Sequence, residues 1–461
     1  MTIWTPDIQS LRGPKYRAIA EVIASDIAEG RLTPGTKLPP HRDLAWRLNV
    51  TVGTISRAYA EAERLGLVRG EVGRGTFVLR PGLREGLPLR EIRTGNDIDL
   101  SLSFPAPGDE ADYIGDALSR MAADPASADL LDYQTPAGNL RHRAAGAAWL
   151  STTGIAAAPE RIVVTSGAQN GILVAFAALA QPGDHILTET LTFPGVKPVA
   201  TMLGLRMEGV PVDAEGLIPE ALETACRTQK SRFLYLIPTI HNPTAVVMPQ
   251  ARREAIAEIA LRHNLTIIED DIAARCMENP PAPIATLIPD NTVYLTSLSK
   301  TVAPGLRIGF LFSPEELHER QAAIVGASAW MAPPLAAELA TNWIEDGTAE
   351  RILASRRREA VTRLDLAKSM LAGEEISATP GCHHIWLTLP DPWRGAEFTA
   401  EAKRRGVIVA PAEIFAAGRT NAPHAVRICI GMPRHRDQLQ QALETLRAIL
   451  QGSAMREMSM V

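Results

Sequence analysis

The chain has 461 residues, of which 46% are hydrophobic and 21% charged, and its formal net charge is −5. That is too long for one ordinary core, so two or three domains are expected, with the composition of a soluble globular protein. No run of about 18 uncharged apolar residues occurs, which argues against a helical membrane span. Met1 to Ser10 lacks the basic start and apolar run of a signal peptide, so a cytoplasmic location is expected. Cys226, Cys276, Cys382 and Cys429 show no paired spacing and read as buried free thiols, with neither a metal site nor a disulfide. The charge is unevenly spread. Residues 1–80 hold 12 Lys/Arg against 8 Asp/Glu, a balance of +4 that leaves −9 for the remainder. A basic first module on an acidic body fits nucleic-acid contact by the first part only.

Gly13-Pro14 opens a predicted helix of about 15 residues with Ile19, Val22, Ile23 and Ile27 on one face and Gly30 as its stop. After the turn Thr33-Pro34-Gly35, a short helix places Leu44, Ala45 and Leu48 inward. Asn49-Val50 forms a tight turn. Thr51 caps a further helix running to about Leu65, and Gly66 ends it. Short strands at Leu67-Val68 and Thr76 to Leu79 flank the turn Gly73-Arg74-Gly75. Two helices at a tight turn followed by a β-wing is winged helix-turn-helix geometry, whose second helix enters the major groove. Thr51, Thr54 and Arg57 are candidates for phosphate and base-edge contacts, Arg42 for backbone phosphate, and Arg74 at the wing tip for the minor groove or phosphate.

Residues 81–98 mix Gly, Pro and charge without periodicity and read as a linker. From residue 99 strands and helices alternate, with strands at Arg161 to Thr165, His185 to Glu189, Phe233 to Ile237, Leu265 to Ile268 and Val293 to Thr296, and a helix from Gln169 to Ala180. The pattern predicts an α/β body with a doubly wound, mostly parallel sheet, whose ligand residues gather at the C-terminal ends of the strands. Residues 356–450 read as a smaller α+β subdomain within a body spanning 99–455.

The chemistry concentrates at such strand ends. In Ser297-Leu298-Ser299-Lys300, a lysine follows two hydroxyls after an apolar strand, and Arg307 stands seven residues on. An amine suits the aldehyde of pyridoxal phosphate, and hydroxyls with a guanidinium suit its phosphate. Asn242, in Pro238-Thr239-Ile240-His241-Asn242-Pro243-Thr244, is placed to donate to the phenolic oxygen. Asp270 ends a strand and would keep the pyridine nitrogen protonated. Ser166-Gly167-Ala168-Gln169 starts a helix whose free N–H groups suit a phosphate, and Phe193 could stack on the ring. His383, His384 and Trp386 either shape a pocket or belong to a buried strand.

Leu38-Pro39-Pro40-His41-Arg42-Asp43-Leu44-Ala45 and Gly70-Glu71-Val72-Gly73-Arg74-Gly75-Thr76-Phe77-Val78 resemble the GntR-type winged helix, which implies DNA contact at Arg42, Thr51, Thr54, Arg74 and Gly75. Val52 stands where that family often has a basic residue. The body resembles fold-type I aminotransferases. The resemblance implies Lys300 as Schiff-base lysine, Asp270 and Asn242 as partners of the pyridine nitrogen and phenolic oxygen, and Ser297, Ser299, Arg307, Ala168 and Gln169 as phosphate ligands. It also implies Phe193 as the stacking ring and Arg427 as the grip on a substrate α-carboxylate. Head and body together look like the MocR subfamily of bacterial transcription regulators. That implies a regulator of operator DNA whose body senses an amino acid or amine through an external aldimine at Lys300. It also implies a homodimer, head-to-tail and domain-swapped. Ile272 stands where the pattern usually offers a tyrosine that bonds the phenolic oxygen, which should raise the aldimine pKa and weaken transamination. The competing readings are a working aminotransferase carrying a DNA head and a cofactor-free dimer scaffold.

Overall fold

The computed structural model describes residues 4–6, 14–28, 31–33, 35–64, 67–71, 75–78, 97–228, 231–418 and 421–458. The chain divides into two compact units, residues 1–87 and 88–461. The expected linker segment up to residue 96, the wing-tip residues Gly73 and Arg74, and the punctuating residues Gly13, Gly30, Pro34, Leu65 and Gly66 lie outside the described residues.

In the first unit, helices Lys15–Ala28, His41–Arg47 and Val52–Arg64 precede the antiparallel strands Val68–Glu71 and Gly75–Val78. Ile19, Ile23, Leu44, Ile55, Ala58, Tyr59, Val68 and Val78 form its core. Leu48 packs only partly against it, a change from the inward position expected, and Val22 and Ile27 are likewise half-buried. Asn49 adopts a left-handed conformation (φ 51°), which makes the turn between the second and third helices possible and which Asn tolerates better than most residues. The Thr51 Oγ1 accepts from the Thr54 N–H at 3.1 Å, so the expected cap is made.

The second unit is built on a seven-stranded sheet. In spatial order its strands are Ile162–Thr165, Gly309–Phe312, Thr292–Ser297, Thr266–Asp270, Phe233–Leu236, His185–Glu189 and Arg206–Val210. All neighbouring pairs are parallel except those of Gly309–Phe312, which runs antiparallel to both neighbours. Helices cover the sheet, and two apolar clusters include side chains of Ile162–Thr165, Thr292–Ser297 and Gly309–Phe312, consistent with strands buried on both faces. A four-stranded sheet carries Ile385–Thr388, Ala425–Ile428, Ile376–Ser377 and Ala410–Pro411, packed with helix Arg436–Met458 as the smaller α+β layer. The short strand Ile98–Asp99 pairs in parallel with Val407–Ile408, so the start of the body is stitched to its end. No helix among the described residues is long and apolar enough to cross a membrane. Cys276, Cys382 and Cys429 are buried free thiols; Cys226 is half-buried, not buried as expected.

Candidate functional site

Six of the seven strands of the large sheet run the same way, so their C-terminal ends share one edge. They bring Phe193, Asn242, Asp270 and Lys300 to one cavity, whose wall also includes His383 and His384 from the smaller layer. Lys300 follows strand Thr292–Ser297 by three residues, and its Nζ donates to the Ser103 carbonyl. Burial pushes this amine down to about 8, and the Arg427 guanidinium adds to that shift against the raising effect of Cys429, Cys276 and Asp270.

Asp270 is 2% exposed. Its Oδ2 accepts from the Tyr235 hydroxyl at 2.6 Å, and its Oδ1 is buried with no hydrogen-bond partner among the described residues. A buried carboxylate oxygen without a donor is costly, and a pyridinium N–H is the kind of donor that would satisfy it. Burial is the main reason its carboxyl is pushed up to about 6, and Asp271 adds to it while Tyr235 opposes it.

Asn242 and Arg427 are joined: Arg427 Nη1 donates to Asn242 Oδ1 at 2.6 Å and Nη2 to the Ser101 carbonyl at 2.5 Å. With its oxygen so engaged, the Asn242 amide keeps its NH₂ as the free donor. Arg427 is 5% exposed although it sits in a strand, and its guanidinium carbon lies 4.7 Å from the Phe415 ring centroid.

The helix start expected to receive a phosphate is shaped by its backbone. Helix Ala168–Leu179 begins after Gly167, which adopts φ +83°. The Gly167 backbone favours glycine, and a Cβ there would lie 2.6 Å from Arg307 Nη2, so the guanidinium lies directly over it and would have to shift for any side chain. Arg307 is itself left-handed (φ 55°) and donates to the Ser166 carbonyl at 3.4 Å. The Gln169 side chain is committed to the Gly195 carbonyl at 2.7 Å, tying the Phe193 loop to the helix start. Ser297 is buried, with its Oγ 3.4 Å from the Ser299 N–H.

His383 and His384 are buried and line the cavity, just ahead of strand Ile385–Thr388 and not within it; Trp386 lies in that buried strand and packs edge-on against Phe415. Burial pushes the His383 imidazole down to about 3, and its ring bridges the Ala106 N–H at 3.3 Å and Cys276 Sγ at 3.4 Å. Three contributors escape a reading of the sequence: Tyr235, which looks like core in Phe233-Leu234-Tyr235-Leu236, and Ser101 and Ser103, which act through carbonyls. Tyr235 had one available signal, a hydroxyl that a fully buried strand must satisfy.

In the first unit Arg42, Thr51 and Arg57 are exposed and Thr54 half-buried, all on or beside the two helices of the turn. Gly75 opens the second strand at φ +117° with Lys37 packed against it, a cation the sequence reading passed over. Arg74 lies outside the described residues.

Two family models match this chain: residues 15–78 match the bacterial regulatory proteins of the gntR family, and residues 108–446 match aminotransferase class I and II. The chain belongs to the MocR subfamily of GntR-type transcription regulators. This MocR-type chain is 32% identical over 449 residues to YdeF of Bacillus subtilis, an uncharacterized HTH-type transcriptional regulator, covering 97% of this chain and 96% of the relative. It is 26% identical over 450 residues to the HTH-type transcriptional regulator TauR of Rhodobacter capsulatus, covering 88% and 90%. A 2-aminoadipate transaminase of Thermus thermophilus is 29% identical over 272 residues, 56% of this chain and 67% of that one. Among solved structures, an archaeal alanine:glyoxylate aminotransferase superposes with a TM-score of 0.70 at 25% identity, covering 77% of this chain and 91% of that one. The MocR-type chain is therefore an HTH-type transcriptional regulator with an aminotransferase-like body, a fold that typically binds pyridoxal phosphate.

Proposed function

We propose that this regulator holds pyridoxal phosphate at Lys300 and senses an amino acid or amine that takes the place of the lysine amine, changing its hold on operator DNA. The observation that carries the reading is the convergence of Lys300, Asp270, Asn242 and Phe193 on one cavity, with the Asp270 Oδ1 unpartnered. When bound, the cofactor supplies an aldehyde that forms a reversible imine with an amine and a ring that draws electrons.

The protein's own residues do the rest. Gly167, the first N–H groups of the following helix, Ser297, Ser299 and Arg307 hold the phosphate. Asp270 keeps a proton on the ring nitrogen, Phe193 covers the ring face, and Asn242 donates to the phenolic oxygen. A lysine held near 8 has a usable free-base fraction at neutral pH. Arg427 takes the effector's carboxylate, a bidentate task that suits a planar guanidinium beside Asn242. Ile272 withholds one further donor, which favours binding over turnover.

DNA contact falls to Arg42, Thr51, Thr54, Arg57, Arg74 and Gly75 of the 1–80 head, which the linker joins to a body whose first strand begins at Ile98, one residue earlier than expected. Each effector stabilises one of two states with different DNA affinity. Two copies form the working unit. Leu131, Tyr133 and Trp330 are 78%, 81% and 60% exposed on the body, a face suited to a second copy, and sedimentation should report a dimer.

Substituting Lys300→Ala tests the reading. The purified protein should show a visible absorption band that Lys300→Ala lacks, and the variant's DNA affinity should no longer respond to amino compounds. A variant that still responds would refute sensing at Lys300. Steady turnover of an amino acid with a 2-oxo acid would favour the working aminotransferase, for which Lys300, Asp270, Asn242 and Arg427 are all in place.

A further inference from the structure

We infer that Tyr235 is a positioning residue for the pyridine end of the cofactor site: its hydroxyl holds Asp270 as an anion with Oδ1 directed to the ring nitrogen. The inference rests on the cofactor reading above. Its basis is register. Strands Phe233–Leu236 and Thr266–Asp270 run parallel with Tyr235 opposite Ile268. Residues two apart share a face, so Tyr235 and Asp270 project to the same side of the sheet. The phenol therefore reaches along the sheet to the strand end and donates to Oδ2 at 2.6 Å.

Two features make this more than a core hydroxyl finding a partner. First, the Tyr235 ring is fixed edge-on by Phe176, at 5.9 Å between centroids and 87° between planes. Phe176 belongs to helix Ala168–Leu179, whose first turn is the phosphate corner. One helix thus sets the phosphate end directly and the pyridine end through Phe176 and Tyr235. Second, Asp270 stands among like charges. Asp271 follows it and pushes its carboxyl toward protonation, with Lys300 opposing; Glu189, which ends strand His185–Glu189, is itself pushed up in part by Asp270. Among the described residues the Tyr235 hydroxyl is the side-chain donor on the Asp270 anion. Tyr235 is itself buried completely beside Asp270 and remains a protonated donor. Without that hydroxyl, Asp270 loses a donor that opposes burial and Asp271, takes up a proton and no longer accepts from the ring nitrogen.

The test is nitrogen-15 NMR of the full-length protein loaded with cofactor labelled at the ring nitrogen, compared with Tyr235→Phe. The wild type should show a protonated ring. The variant should lose that proton at a pH at least about one unit lower and bind the cofactor about tenfold more weakly. In an Asp270→Asn background, Tyr235→Phe should change neither quantity further, because the interaction acts through Asp270 alone. An unchanged shift and affinity in Tyr235→Phe would overturn the inference, as would effects that simply add in the double variant. Should Tyr235→Phe not fold, fluorotyrosine incorporated into the intact protein donates more strongly and should move the ring titration upward; no movement overturns the inference equally. A wild type that takes up no cofactor overturns the cofactor reading itself, whereas normal loading with an indifferent Tyr235→Phe overturns this inference alone.

Discussion

Raising the pH on cofactor-free protein should reveal how far burial has lowered the Lys300 amine. Only the neutral amine attacks an aldehyde. With its pKa at about 8, roughly one Lys300 in ten is neutral at pH 7. A lysine at its ordinary value would be neutral in about one molecule in three thousand, so the site has a gain of about 300-fold in reactive amine. The sign follows from burial, which disfavours the charged form. The assay is stopped-flow absorbance as cofactor is mixed with the apoprotein above about pH 6.5, where the cofactor's own phosphate is largely ionised. The rate should climb about tenfold per pH unit and level off above about 8. Asp270→Asn removes a carboxylate that favours the charged amine, so its plateau should begin at lower pH. A rate that climbs without a bend through pH 9 to 10 would refute the reasoning, since Lys300 would then titrate as an ordinary surface lysine.

Gly167→Ala should leave the fold intact but weaken cofactor binding by more than tenfold, read by equilibrium titration, because the added methyl would meet Arg307 Nη2 at 2.6 Å on a backbone at φ +83°. Binding at the wild-type level would show that Arg307 is not part of the phosphate corner. Thr51→Ala should cost the head about 1 kcal/mol in thermal unfolding through loss of its bond to the Thr54 N–H, and Thr51→Ser should recover most of it. Arg42→Ala should weaken operator binding and lower its salt dependence by about one unit of slope; identical slopes would remove Arg42 from the phosphate contacts.

What the sequence disclosed, it disclosed where chemistry is local. The Asn49 turn, the Thr51 cap and the alternation of strands and helices are encoded within a few residues, and the structure carries all three. Lys300 stood out because hydroxyls and an arginine flank it at short spacing. What stayed hidden depends on distant partners. Gly309–Phe312 is four residues long and buried between two strands that it opposes, so no alternation marks it and nothing local gives its direction. Arg206–Val210 lies at the sheet edge, running from exposed Arg206 to buried Val210, and lacks the apolar run of its neighbours. Ile98–Asp99 is a strand only because Val407–Ile408 lies beside it. Arg427 in a strand reads locally as a surface residue. Its burial is intelligible only with Asn242 and the Ser101 carbonyl, which lie 185 and 326 residues away in the sequence, and the family resemblance alone pointed to it.

The central claim is that chemistry at Lys300 and grip on DNA are two readings of one equilibrium. The most direct test is a titration of the purified full-length protein with a panel of amino acids and amines, following the cofactor's visible band and operator affinity in the same samples. The account predicts that one class of amino compound moves the band to a stable new position and shifts DNA affinity with the same midpoint. A band that moves while DNA affinity stays fixed would contradict it, as would DNA affinity that responds to a compound leaving the band untouched.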